Sequence, residues 1–202
     1  MAPARPSGSH GEAVLASKPM RRTFGLIAAV LVVAVVVAAC GGDDEASSGF
    51  AQAVDAPSDR RDAPELSVPR LDGSGDLTLE EFAGTPVVLN FWASWCGPCR
   101  TETPALIEFA NERPEVKVVG VAVDDDPDDS RRFAEELDIP YDLATDRQGG
   151  QAARFQVQGL PVTVIVDADG RVVTTWFGEI TREDLDLFAD QVTTGGSGQP
   201  QQ

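Results

Sequence analysis

The stretch Pro86–Pro104, PVVLNFWASWCGPCRTETP, decides how this chain is read. Val87-Val88-Leu89-Asn90-Phe91-Trp92 is apolar on both faces apart from one amide, as expected of a strand buried in the middle of a sheet. A short turn then delivers Cys96-Gly97-Pro98-Cys99, and a helical pattern begins. Strand, turn and Cys-x-x-Cys at a helix start is the sequence form of a dithiol/disulfide redox site. The reason is electrostatic: a thiolate in the first turn lies near the positive end of the helix dipole and its unpaired N–H groups. Cys96 is the expected exposed nucleophile, flanked by Trp95, Gly97 and Pro98. Cys99, one turn along the same face, is placed to resolve a mixed disulfide.

A zinc site competes for the same motif, but zinc takes four ligands, mostly Cys and His. The chain has three cysteines and one histidine, His10, which lies far upstream. From Cys40 onward there is neither histidine nor methionine. That composition removes Ser–His–Asp and Cys–His catalysis, and it weakens the reading of a soft-metal lipoprotein holding Cu(I). No metal is expected, and no cofactor beyond a redox-active Cys96–Cys99 disulfide.

Phe91-Trp92-Ala93-Ser94-Trp95-Cys96-Gly97-Pro98-Cys99-Arg100 resembles the thioredoxin superfamily, and the continuation Thr101-Glu102-Thr103-Pro104 resembles the TlpA/ResA group of membrane-tethered bacterial thiol–disulfide oxidoreductases. The similarity runs over about residues 64–192, through Gly159-Leu160-Pro161 and Asp167-Ala168-Asp169-Gly170. It implies an α/β, thioredoxin-like fold: a central mixed β-sheet flanked by helices, with an N-terminal β-hairpin extension. It also implies that Pro161 is cis beside the redox pair, leaving the Leu160 backbone free to pair with a client strand. The other reading of Pro161 is a strand-initiating proline without contact to the site.

Asn90 stands where thioredoxin carries a buried Asp, and an amide cannot take a proton. The resemblance supplies a substitute in Glu102, three residues after Cys99 and on the same helix face. Two roles fit it: accepting the Cys99 proton, or stabilising the helix dipole in the first turn. A thiol peroxidase on a related fold would carry Thr three residues before its Cys, where this chain has Ala93.

The implied activity is reduction of disulfides in exported proteins, including apocytochrome c, with electrons from a membrane thiol-transfer protein. Oxidative folding of secreted proteins is the alternative direction. Gly97-Pro98 is the thioredoxin dipeptide, at about −270 mV against about −120 mV for a strong oxidant, which favours the reductant.

The formal charge is −17. Residues 1–39 carry Arg5, Lys18, Arg21 and Arg22 against Glu12, which leaves about −20 on the rest and argues against nucleic acid as a partner. Phe24–Ala39 is sixteen apolar or small residues without a charge. At about 1.5 Å per residue it reaches about 24 Å, short of a span of about 30 Å, and fits a signal-peptide core. Val37-Ala38-Ala39-Cys40 resembles a bacterial lipobox, with Cys40 the lipidated new N-terminus; an uncleaved signal anchor is the other reading. Both place the domain outside the cytoplasm, on the outer face of the cell membrane. Met20 is a second candidate start, and Arg21-Arg22 leaves Sec and twin-arginine export both open.

Residues 40–63 read as lipidated Cys and flexible linker, reaching about 25 Å as a coil. Residues 64–192 read as the domain, and 193–202 as a disordered tail. Within the domain, Leu66–Val68 and Leu77–Leu79 suggest a hairpin, with a helical turn at Glu80–Phe82. A helix over Cys96–Asn111 should kink at Pro104. Val116–Val123 reads as a second buried strand, and the acidic run from Asp124 to Asp129 as a helix-starting loop, since the EF-hand register fails. An edge strand at Tyr141–Ala144, a helix at Gly149–Gln156, a hairpin about Asp169-Gly170 and a final helix capped by Thr181 complete the pattern.

Overall fold

The computed structural model describes residues 58–194. The expected signal segment 1–39, the lipidation site Cys40, most of the tether and residues 195–202 lie outside the described residues. Among the described residues no helix is long and apolar enough to cross a membrane.

The described residues begin their regular structure with β1 (Ser67–Pro69) and β2 (Asp76–Thr78), an antiparallel pair, and a 3-10 turn over Leu79–Phe82. Then follow β3 (Val87–Trp92), α1 (Gly97–Glu112), β4 (Lys117–Val123), α2 (Pro127–Glu136), β5 (Asp142–Asp146) and α3 (Gly150–Arg154). The last elements are β6 (Val162–Val166), β7 (Val172–Phe177) and α4 (Arg182–Thr194). The main sheet has the order β5-β4-β3-β6-β7, parallel among β3, β4 and β5 and antiparallel from β3 through β6 to β7. This is the expected mixed sheet with a hairpin extension, and β5 is the expected edge strand.

All six residues of β3 are buried, and the pleat divides them. Val87, Leu89 and Phe91 enter one apolar layer with Val119, Val121, Val162 and Val164, closed by Leu66, Val68 and Leu77 of the hairpin and Phe155 after α3. Val88 enters the opposite layer, built with Leu106 and Phe109 of α1 and Leu185 and Phe188 of α4. Trp92 heads a third cluster with Cys96, Cys99, Ala122 and Phe133 of α2. The cysteines therefore sit at the carboxyl end of the central strand, where α1 begins.

Two boundaries differ from the sequence expectation. Arg61–Ala63, read as tether, are hydrogen-bonded to the Gly170–Val172 segment: Val172 N–H donates to the Arg61 carbonyl at 2.8 Å and Ala63 N–H to the Gly170 carbonyl at 2.9 Å. Thr193 and Thr194, read as tail, close the last helix, with the Thr193 hydroxyl on the Ala189 carbonyl at 2.8 Å. The first helix, expected over Cys96–Asn111, runs from Gly97 to Glu112 with Pro104 inside it. Pairing between distant segments extends order at Arg61–Ala63, and helical hydrogen bonding extends it at Thr193, past the point where apolar periodicity stops.

Gly120 faces Asn90 across the sheet. A Cβ there would lie 2.6 Å from Leu143 Cδ2 and 2.9 Å from Trp92 Nε1, so only glycine lets the indole lie flat below the cysteines. Gly120→Ala is expected to cost about 1–3 kcal/mol through overpacking, read as a lower denaturant midpoint. An unchanged midpoint would show that the ring moves aside freely.

Candidate active site

The turn after β3 ends in Cys96, the N-cap of α1, whose Sγ accepts from Cys99 N–H at 3.2 Å. Pro98 sits in the first turn, where its missing donor leaves no bond unmade. Cys96 and Cys99 form a disulfide with Cα atoms 5.3 Å apart. Cys96 is 5 % exposed and Cys99 1 %. The expectation of an exposed nucleophile is thus corrected for the oxidised state: Trp92, Phe133 and Leu160 pack about the pair. Trp95, 64 % exposed, and the exposed Gly97 and Pro98 form the outer rim.

The Leu160–Pro161 bond is cis, Pro161 is buried, and its carbonyl accepts from Gly178 N–H at 2.9 Å. Leu160 packs against the cysteine cluster, so the loop before β6 reaches the site.

Glu102 is 2 % exposed, beneath the pair on the same helix. Its Oε1 accepts from Asn90 Nδ2 at 2.8 Å and its Oε2 from Ile180 N–H at 3.0 Å. The Asn90 amide also donates to Thr163 Oγ1 at 3.0 Å. Burial pushes the Glu102 carboxyl up to about 7, against the lowering effect of its two donors and with a small push from the charge of Glu179. Those bonds run across to the sheet and to the segment before α4, not to the first-turn amides, so this carboxyl does not act as a cap.

The loop after β4 holds the turn from the other side. The buried Asp125 carboxylate accepts from Ser94 N–H at 2.7 Å, Ser94 Oγ at 2.8 Å and Ser130 Oγ at 2.7 Å. Trp95 Nε1 donates to the Asp124 carbonyl at 3.1 Å. Arg100 lies over the Phe133 ring at 4.6 Å and pairs with Glu136 at 3.0 Å. A depression of about 650 Å³ lies elsewhere, lined by Lys117, Arg131 and Tyr141. A disulfide on another protein reacts at a surface, so the chemistry needs no such cavity.

The AhpC/TSA family model matches residues 60–175, more than half of the chain. The chain belongs to the AhpC/TSA family. Thiol-disulfide oxidoreductase ResA of Bacillus thuringiensis subsp. konkukian is 33% identical over 135 residues, which is 66% of this chain and 78% of ResA. The thiol:disulfide interchange protein HelX of Rhodobacter capsulatus is 31% identical over 137 residues, 67% of this chain and 77% of HelX. A secreted disulfide oxidoreductase of Mycobacterium tuberculosis, homologous to E. coli DsbE, superposes with a TM-score of 0.57 at 27% identity, covering 61% of this chain and 93% of its own. Together with the Cys96–Cys99 disulfide, these likenesses make this AhpC/TSA-family member a thiol–disulfide oxidoreductase of the ResA/DsbE type. Its fold is thioredoxin-like.

The structure brings together Cys96, Cys99, Glu102, Trp95 and Leu160, all singled out by sequence. It adds Asn90 and Thr163 as partners of Glu102 and its amide, and Asp125 and Ser94 as the second support. The first two stand out in sequence as polar residues in otherwise apolar strands, but their pairing with Glu102 carried no local signal. The Ile180 amide carried none, since a backbone donor is invisible in sequence.

The raised carboxyl has a measurable consequence. A group protonated more readily in the fold than in the open chain stabilises the fold below its unfolded pKa, near 4.5, and that stability is lost as pH rises through about 7. Relative to Glu102→Gln, the wild-type protein is expected to lose about 3 kcal/mol of unfolding free energy across that window. Parallel pH profiles in denaturation experiments would contradict the buried, uncompensated carboxyl.

Proposed function

We propose that this oxidoreductase reduces disulfides in exported proteins from a lipid-tethered position on the outer face of the cell membrane. The observation that carries the reading is the buried Glu102, one helical turn from Cys99 and poised to exchange a proton near neutral pH. The Cys96–Cys99 pair is itself the redox group of the proposed reaction.

In the reduced enzyme the Cys96 thiolate attacks one sulfur of the client disulfide. A Cys96–client bond forms and the other client sulfur leaves as thiolate. Cys99 gives its proton to Glu102 and attacks the Cys96 sulfur. The second client thiolate departs, two electrons have passed to the client, and Cys96–Cys99 is again a disulfide. Trp95, Gly97 and Pro98 face the client, with Leu160 and Pro161 as the backbone beside which an extended client segment lies. A membrane dithiol protein restores the reduced pair.

The tether reading rests on the Phe24–Ala39 apolar segment and Cys40, and export is consistent with the secreted relative from M. tuberculosis. Apocytochrome c thiols are the client class favoured by the ResA and HelX likeness.

Cys96→Ser is expected to abolish insulin-disulfide reduction. Cys99→Ala is expected to accumulate mixed disulfides with envelope clients, identified by mass spectrometry after capture. Equilibration with glutathione buffers decides direction: a potential near about −270 mV supports the reductase, and one near about −120 mV would assign the enzyme to oxidative folding instead.

A further inference from the structure

Asp125 is a buried carboxylate that the exchange chemistry does not use. It is 5 % exposed and sits in the loop between β4 and α2. Four donors meet its two oxygens: Ser94 N–H, Ser94 Oγ, Ser130 Oγ and the Asp126 N–H, at 2.7, 2.8, 2.7 and 3.0 Å. Ser130 is on α2, so those bonds belong to the loop and its helix. The two from Ser94 reach across to the chain two residues before Cys96. The next residue is gripped as well, since the Trp95 indole donates to the carbonyl of Asp124, a non-glycine residue at φ 52°.

We infer that Asp125 is a positioning residue for the redox turn, holding Ser94 and Trp95 so that the Cys96 sulfur stays over the first amides of α1. The inference rests on the reading of Cys96 as the attacking thiolate. From the helix side, Cys96 is met by Cys99 N–H on its sulfur and Arg100 N–H on its carbonyl, both at 3.2 Å. Those bonds hold the sulfur at the positive end of α1 only while the preceding turn is anchored. Asp125 supplies that anchor. The alternative role, a bare charge near the sulfur, has the opposite sign. An anion nearby disfavours a thiolate, so removing it would lower the thiol pKa, whereas releasing an anchored turn raises it.

The sign is read by the pH dependence of iodoacetamide modification in the reduced full-length protein, with peptide mass spectrometry reporting Cys96 alone. The wild-type midpoint is expected well below the model thiol value of about 8.5. Asp125→Ala is expected to raise that midpoint by about one unit, a tenfold loss of thiolate below both midpoints. Asp125→Asn keeps one acceptor for Ser94 N–H and falls between. Ser130→Ala cuts a bond on the α2 side only and keeps the wild-type midpoint while lowering stability. A folded Asp125→Ala protein with an unchanged or lowered midpoint overturns the inference and leaves the proposed function standing. Should that variant not fold, Asp125→Asn and Ser94→Ala decide the matter: a raised midpoint in either supports the anchor, and unchanged midpoints in both overturn it. A wild-type midpoint at the model value overturns the proposed function and this inference together.

Discussion

A carboxyl group 2 % exposed is tolerated in a protein interior only where donors meet it, and Glu102 depends on two that come from distant parts of the chain. Asn90 rises from the central strand and the Ile180 amide comes from the segment leading into α4. The same bonds therefore tie α1, one turn past Cys99, to the sheet on one side and to the segment before the last helix on the other. Neither donor brings a positive charge, so the carboxyl is satisfied geometrically without being held ionised. That is why its affinity for a proton rises towards neutrality while it stays ordered.

The other end of α1 is held differently. Arg113, just past the helix, reaches Asp186 and Asp190 of α4 at 3.2 and 2.9 Å, and Arg182 reaches back to Glu112 at 2.8 Å. Partly exposed pairs of this kind contribute little each. In a chain of net charge −17 they also keep the facing carboxylates of α1 and α4 from repelling one another. The stronger hold is apolar, through Leu106, Phe109, Leu185 and Phe188 in one layer.

Two supports converge on the redox turn, and they act on different links of the same reaction. Glu102 lies below Cys99, where the proposed reaction gives it the proton of the resolving step. Asp125 lies beside Ser94 and serves the placement of Cys96. Both carboxylates are buried, and they differ in the donors that meet them, two for Glu102 and four for Asp125.

The strands, the helix at Cys96 and the hairpin extension were legible in the amino-acid sequence because period and turn chemistry are local properties. The run Val87–Trp92 reads as a doubly buried strand, and Cys-Gly-Pro-Cys after it reads as the opening of a helix. Glu102 was legible as a residue on the Cys99 face, because helical spacing alone decides that. Its partners were not, since Asn90, Thr163 and Ile180 are brought to it by the order β3-β6-β7 and the return of α4, which no local pattern encodes. The near-complete burial of Cys96 and the pairing of Arg61–Ala63 with the Gly170–Val172 segment belong to the same class. So does the Asp125 anchor, 31 residues from Ser94, where the acidic run reads locally as nothing more than a helix-starting loop. Sequence determined which groups carry the chemistry; tertiary structure decided what surrounds them, because desolvation and hydrogen-bond partners exist only between segments that the fold has brought together.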